Sequence, residues 1–158
     1  MKNKVIALFL CLCVTGATLG GQCQVSAQEY DIEEKGIYGY ADGECFTEQG
    51  IVYQYISASQ SLRVYSLANC TKDIIDIPAI VDGYSVTEIK TTSSLPSSAT
   101  TIMIPSTVSK ILNNFNGRNV KNIYVDSDNQ IFSSVDGVLY NKAGTELLEY
   151  PVGRRDTS

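Results

Sequence analysis

The chain of 158 residues carries 12 basic and 17 acidic side chains and no histidine, so its net charge at neutral pH is −5. This acidic balance argues against nucleic acid and anionic membrane surfaces as partners, because both are negatively charged. Without histidine a Ser-His-Asp or Cys-His catalytic arrangement cannot form, and the lack of a Cys-x-x-Cys motif also disfavours a structural zinc site.

Residues 1–27 have the pattern of a secretory signal peptide. Lys2 and Lys4 precede an apolar run from Val5 to Val14, and small residues surround the expected cleavage position after Ala27. The run of about ten residues is shorter than the roughly 20 that a membrane-spanning helix needs. We therefore expect a secreted, extracellular protein, released or held at the cell surface, with no membrane insertion after signal cleavage. Cleavage removes two of the 12 basic residues and none of the 17 acidic ones, which leaves a net charge of −7.

The five cysteines divide between the signal peptide and the mature chain. Cys11, Cys13 and Cys23 leave with the signal, whereas Cys45 and Cys70 remain. In an oxidising compartment these two could form a disulfide, and closing a loop of about 25 residues stabilises by roughly 3 kcal/mol in the chain-entropy model. The alternative is two separate thiols that behave as small buried hydrophobes.

Two segments precede the main part of the chain. Residues 28–49 are rich in aspartate, glutamate and glycine, so we expect a solvated acidic leader there. In residues 50–72, the β-branched and aromatic run Ile51–Ile56 is separated by a serine-rich stretch from the run Leu62–Tyr65. This pattern predicts a β-hairpin. A hairpin at this place would cover the open apolar end of a repeat stack as an N-terminal cap.

Residues 73–158 contain degenerate repeats of an Ile-x-Ile pattern. The copies start 27 and 21 residues apart, at Ile75–Ile77, Ile102–Ile104 and Ile123–Val125. The first two copies are followed by a Val-x-x-Ile step, at Val86–Ile89 and Val108–Ile111. A unit of this length cannot bury its own apolar face, so neighbouring units are expected to stack into a short solenoid with parallel strands.

The middle residue of each copy is the candidate contact residue. Side chains alternate along a strand, so the two outer residues of each copy point into the stack and the middle one points to solvent. The sequence therefore predicts an exposed ladder of Asp76, Met103 and Tyr124. Residues expected to flank this ladder are Thr101, Asn122 and Asp126.

The last part of the chain predicts a C-terminal β-meander. Asp136-Gly137 is typical of a two-residue hairpin turn and the segment Asn141–Gly144 of a longer one, so three strands are expected between residues 131 and 150. An uncovered edge strand recruits other chains. We therefore expect weak self-association through the C-terminal strand edge.

No pattern in the sequence indicates a cofactor or a catalytic site. The segment Asp126–Asn129 is similar to the start of a calcium loop, but Ile131 occupies the sixth position, where such a loop needs glycine. A polar turn after a strand explains these residues more simply. We expect no cofactor, no metal and no enzymatic activity.

The repeat and the meander together resemble the BspA-like leucine-rich repeats of bacterial surface proteins. The resemblance rests on the stretches Ile77–Ile89 and Ile104–Ile111 and on Phe132–Pro151, which is similar to an insert found between such repeats; it covers roughly residues 50–158. The family has an Ala-Phe pair after the Val-x-x-Ile step, whereas this chain has Leu95 in one unit and Phe115 in the next. The family also continues with further repeats, so the chain is expected to be the N-terminal or truncated portion of a longer array.

The resemblance implies an extracellular role in adhesion or protein binding, without catalytic residues. Together with the residue patterns it predicts a mainly β fold, a short leucine-rich-repeat solenoid with an N-terminal hairpin cap and a C-terminal β-meander. The expected function is a noncatalytic binding module for an extracellular protein or glycan, contacted through Asp76, Met103 and Tyr124. The alternative is a purely structural cap or fragment of a repeat array that has no ligand of its own.

Overall fold

The computed structural model describes residues 39–91, 94–115 and 117–154. The predicted signal peptide and residues 28–38 of the predicted leader lie outside the described residues. Within these ranges the regular structure is entirely β. The strands are β1 (Cys45–Glu48), β2 (Ile51–Ile56), β3 (Ser61–Ser66), β4 (Ile74–Asp76), β5 (Ile80–Val81), β6 (Tyr84–Ile89), β7 (Thr101–Ile104), β8 (Lys110–Ile111), β9 (Asn122–Val125), β10 (Phe132–Val135), β11 (Val138–Asn141) and β12 (Leu147–Glu149).

The three Ile-x-Ile copies form one parallel sheet in the order β4-β7-β9. Ile75, Ile102 and Ile123 are aligned across the three strands and are buried, as the alternation predicts. Although the copies are separated by unequal numbers of residues, their register is the same. The stacking of the repeats is therefore confirmed for these strands.

The predicted hairpin is confirmed, and its second strand has another neighbour. Strands β2 and β3 pair antiparallel, and β3 also pairs parallel with β6, which in turn pairs parallel with β8. The Val-x-x-Ile steps thus lie in a second set of parallel strands. The end of the predicted acidic leader also forms a strand, because β1 pairs antiparallel with β2.

The fold is not a plain parallel solenoid. Antiparallel pairs join β1 to β2, β2 to β3 and β5 to β6, and a separate antiparallel sheet has the order β10-β11-β12. One physical reason is the Asp82-Gly83 turn, whose φ angles of 48° and 86° fit the type I′ turn that reverses a chain in two residues. The prediction of parallel strands is right for the two stacked sets, and the β2–β3 pair and the β10-β11-β12 sheet are the predicted hairpin and meander. The antiparallel pairs β1–β2 and β5–β6 were not predicted.

Short turns, rather than helices, connect the two sets of parallel strands. Three of these turns, and a fourth that follows β12, are alike, since in each the N–H of the fourth residue donates to the carbonyl of the first. Consecutive turns are also joined by hydrogen bonds. Gly153 N–H donates to the carbonyl of Val120, and Lys121 N–H donates to the carbonyl of Thr100, each of which directly follows a turn. The turns are Leu67–Cys70, Pro96–Ala99, Gly117–Val120 and Pro151–Arg154.

Asn129 explains why the segment that resembles a calcium loop is polar. Its side chain is buried and donates to the carbonyls of Pro105 at 3.0 Å and Val108 at 2.8 Å. The side-chain oxygen Oδ1 of Asn129 accepts hydrogen bonds from the backbone N–H groups of Ile131 and Phe132, at 2.9 and 2.8 Å. The amide therefore joins two successive layers of the stack, so its role is structural.

The C-terminal meander is confirmed and covers the outer edge of β9. Ile123 N–H donates to the carbonyl of Gly137 at 2.8 Å, and Val125 N–H donates to Ser134 Oγ at 3.0 Å. Gly137 has a φ of 75°, and a Cβ atom at this position would lie 2.5 Å from Oδ1 of Asn122. Glycine therefore permits both the turn and the close approach. Strand β12 lies at the edge of its sheet, and self-association through it stays a prediction.

Candidate binding surface

The structure places the three predicted contact residues side by side. Asp76 is aligned with Met103, and Met103 with Tyr124, on three adjacent parallel strands. Met103 and Tyr124 are 42% and 44% exposed, Asp76 is exposed, and the isoleucines that flank them in sequence are buried. We call Asp76, Met103 and Tyr124 the open row.

The side chains of the open row are not bonded within the described part of the chain. The Asp76 carboxylate and the Tyr124 hydroxyl have no hydrogen bond or ion pair with any described residue, so both can bond to an external partner. The adjacent row on the same face consists of Ile74, which is 46% exposed, Thr101 and Asn122. The surface thus combines exposed apolar groups with free polar ones, a composition that recurs in interaction sites.

The predicted flanking residues divide into two groups. Thr101 and Asn122 lie beside the open row, in register with each other. Asp126 follows the end of β9, and its carboxylate accepts a hydrogen bond from the N–H of Asp128 at 2.9 Å. That carboxylate is therefore occupied in closing a turn.

A second row of outward side chains crosses β3, β6 and β8 and was not found from the sequence. Arg63 is aligned with Glu88, and Glu88 with Lys110. The Arg63 Nε donates to Glu88 Oε2 at 2.8 Å, and Lys110 Nζ donates to Oε1 at 3.0 Å. We call these three residues the charged row. Their spacing of 25 and 22 residues is close to the repeat length, and opposite charges at that spacing were the available signal.

Glu88 is the centre of the charged row and is only 7% exposed. Burial alone raises the pKa of a carboxyl group, but the hydrogen bonds from Lys110 and Arg63 and their positive charges outweigh it and hold the pKa of Glu88 below its usual value. The Arg63 guanidinium also donates to Gln54 Oε1 at 3.3 Å. Each of the three charged side chains is therefore paired with another member of the row.

Few other reactive or metal-ligating groups lie in the described ranges. Cys45 is exposed and Cys70 is buried, both as free thiols, and burial raises the pKa of the Cys70 thiol. No group of three His, Cys, Asp or Glu side chains among the described residues is placed to hold a metal ion. A search of the same residues finds no helix that is long and apolar enough to cross a membrane.

The chain matches no protein-family model and no curated protein. Three solved structures are similar to part of it. A leucine-rich repeat protein from Eubacterium ventriosum ATCC 27560 is 31% identical, with a TM-score of 0.46, over 54% of this chain and 22% of that one. A leucine rich cell surface protein from Faecalibacterium prausnitzii A2-165 is 18% identical, with a TM-score of 0.42, over 57% of this chain and 25% of that one. The pneumococcal vaccine antigen PcpA is 15% identical, with a TM-score of 0.22, over 74% of this chain and 58% of that one.

These neighbours are bacterial leucine-rich-repeat, cell-surface and antigen proteins. This chain spans only 22% and 25% of the first two. With TM-scores this low, the likeness determines neither the function of this chain nor its membership of the BspA-like group.

Proposed function

We propose that this chain is a noncatalytic binding module that works outside a bacterial cell and contacts an extracellular protein or glycan through the open row. The observation that carries this proposal is the alignment of Asp76, Met103 and Tyr124 across three parallel strands, exposed and without partners among the described residues. The secretory signal and the resemblance to BspA-like repeats support the extracellular location.

The position of the open row suits recognition. Each of its residues directly follows a buried isoleucine, so its backbone is held in place by the packing beneath. A tyrosine offers a large amphipathic contact area and loses little conformational entropy on binding. The row presents an acid, a thioether and a phenol in fixed order, and this order provides a basis for specificity.

The test begins with a protein and glycan array probed with residues 28–158, which identifies a partner. The variant in which Asp76, Met103 and Tyr124 are all replaced by alanine is then compared with the parent. We expect at least about a thirtyfold loss of affinity, because truncating a single hot-spot residue at the centre of an interface costs about 2 kcal/mol or more. The melting temperature is expected to stay within about 3 °C, because exposed substitutions change stability little.

A matched control replaces one acid and two apolar residues on the C-terminal meander, namely Glu146, Leu147 and Val135, which are all exposed. This variant is expected to bind as the parent does. Unchanged affinity after alanine replacement of the open row would contradict the proposal.

A structural role is the second candidate. The turn Pro151–Arg154 has the same hydrogen bond as the turns that precede β4, β7 and β9, and it bonds to the previous turn through Gly153 N–H. This repetition is what a spacer within a longer stack requires. A chain that binds nothing on the array until further repeats are appended would favour this role over the binding module.

A further inference from the structure

A small cleft lies between the β1–β2 hairpin and the segment that follows β4. Its volume is about 100 Å³, and its walls include Ile51, Tyr53 and Val81, which are buried, together with Glu48 and the exposed Ile80. The cleft shares no residue with the open row. It therefore presents a separate place where a partner could be held.

Tyr53 brings an unpartnered polar group to this cleft. The residue is 1% exposed, and its ring stacks on Phe46 with 5.5 Å between the ring centres. Its hydroxyl has no hydrogen-bond partner among the described residues. Yet every fully enclosed side-chain nitrogen or oxygen in that part of the chain is hydrogen-bonded. The hydroxyl is therefore not fully enclosed, and Tyr53 is one of the residues that line the cleft.

Glu48 adds a negative charge beside that hydroxyl. The side chain is half-buried and makes no hydrogen bond or ion pair with the residues that the structure describes. Burial, and then the nearby Glu48 carboxylate, raise the pKa of Tyr53, so the phenol stays neutral and its oxygen is available as an acceptor. The cleft thus combines apolar walls with two oxygen acceptors, one of them charged.

We propose that this cleft takes a single lysine side chain from a partner protein. The methylene stem packs between Ile51 and Val81, and the ammonium group donates to the Glu48 carboxylate and the Tyr53 oxygen. Charge complementarity favours a cation, because the chain itself is acidic. The size of the cleft favours a narrow, unbranched side chain. A cavity that binds benzene has a volume of about 150 Å³, and this cleft is smaller.

The probe for the test is n-butylammonium chloride, which has the stem and head group of lysine, titrated into the isotope-labelled chain and followed by NMR. We expect saturable shifts at the amides of Ile51, Tyr53 and Val81. The uncharged control n-butanol is expected to bind about tenfold more weakly, since a lost charge-assisted hydrogen bond is worth about 1.4 kcal/mol or more. Benzylammonium is expected to give no shifts at these amides, because its ring exceeds the cleft.

Variants distinguish binding in the cleft from a general attraction of cations to an acidic protein. Glu48→Gln is expected to weaken n-butylammonium binding about tenfold, and Tyr53→Phe to weaken it by a smaller factor. Glu146→Gln, which removes the same charge from the meander, is expected to leave binding unchanged. The proposal is overturned by an absence of saturable shifts at the cleft, by equal binding of n-butanol, or by unchanged binding in Glu48→Gln. Tighter binding of n-butylguanidinium would overturn the choice of lysine.

Discussion

The open row and the charged row cross equivalent sets of parallel strands, but their side chains bond differently. Glu88 is buried between Arg63 and Lys110, so the charged row is closed on itself. Asp76 lies beside Met103 and has no cation to pair with in the described residues. The same stacking geometry therefore supports two roles, and the identity of one residue per strand decides between internal stabilisation and availability to a partner.

The largest expected effect contrasts the inner and outer residues of β7. Ile102→Ala should lower the free energy of unfolding by about 3 kcal/mol, because it leaves a cavity beneath the open row. Met103→Ala, one residue away on the exposed side, should change it by less than about 0.5 kcal/mol. Urea unfolding of both variants measures the contrast. Similar losses in the two variants would mean that the open row contributes to the core.

The next effect contrasts the central residues of the two rows. Glu88→Ala should lower the free energy of unfolding by about 2 kcal/mol. This loss is smaller than the loss expected on breaking a fully buried ion pair, because the Lys110 side chain is largely exposed. Asp76→Ala should stay within about 0.5 kcal/mol of the parent, because its carboxylate has no partner to lose in the described structure. Denaturant titration at neutral pH checks both. A greater loss in Asp76→Ala would show that the open row is structural.

A smaller difference, between two glycine substitutions, tests how the last strand of the open row is held. Gly137→Ala should cost about 2 kcal/mol, because alanine resists the positive φ and its Cβ would collide with Asn122 beside β9. Gly144→Ala is the matched control, since its φ is also positive but nothing lies within 4 Å of the added Cβ. It should cost about 1 kcal/mol. Equal losses, measured by thermal unfolding, would mean that the contact with Asn122 is easily relieved.

The smallest expected effect is the pH dependence that distinguishes the charged row. Because the pKa of Glu88 is lower in the folded than in the unfolded chain, its contribution is complete above the unfolded pKa of about 4.3 and is lost as the pH falls further. Glu149 has the opposite sign, because burial raises its pKa despite the hydrogen bond that its carboxylate accepts from Phe115 N–H.

The measurement therefore uses Glu149→Gln as the background. Stability should fall as the pH drops below about 5 in this background, and it should fall less after Glu88→Gln is added. Identical pH profiles would show that Glu88 does not carry the effect.

The open row was predictable because strand alternation and a repeated pattern suffice to place Asp76, Met103 and Tyr124 on one face. The charged row was predictable only in part. Glu88 and Lys110 hold the same position in the two Val-x-x-Ile steps, but Arg63 belongs to the hairpin, which lacks that pattern. Only the parallel pairing of β3 with β6, and of β6 with β8, brings all three into register. The second pairing of β3, with β6, depends on a long-range contact, which local patterns do not encode.

The Tyr53 cleft was also beyond the sequence. In the structure, Tyr53 lies on the buried face of β2 together with Ile51 and Tyr55. Whether its hydroxyl meets a partner depends on the turn between β1 and β2 and on the segment after β4, which approach each other from distant parts of the chain. An unsatisfied oxygen is a property of the assembled surroundings.

Strands β4, β7 and β9 keep the same register although intervals of 27 and 21 residues separate Ile75, Ile102 and Ile123. This affects how such a surface can change during evolution. The distance from one exposed side chain to the next is fixed by the strand separation of about 4.8 Å and not by the amount of chain between them. Insertions and deletions in the connecting loops can therefore accumulate while a bound molecule continues to meet the same groups at the same intervals.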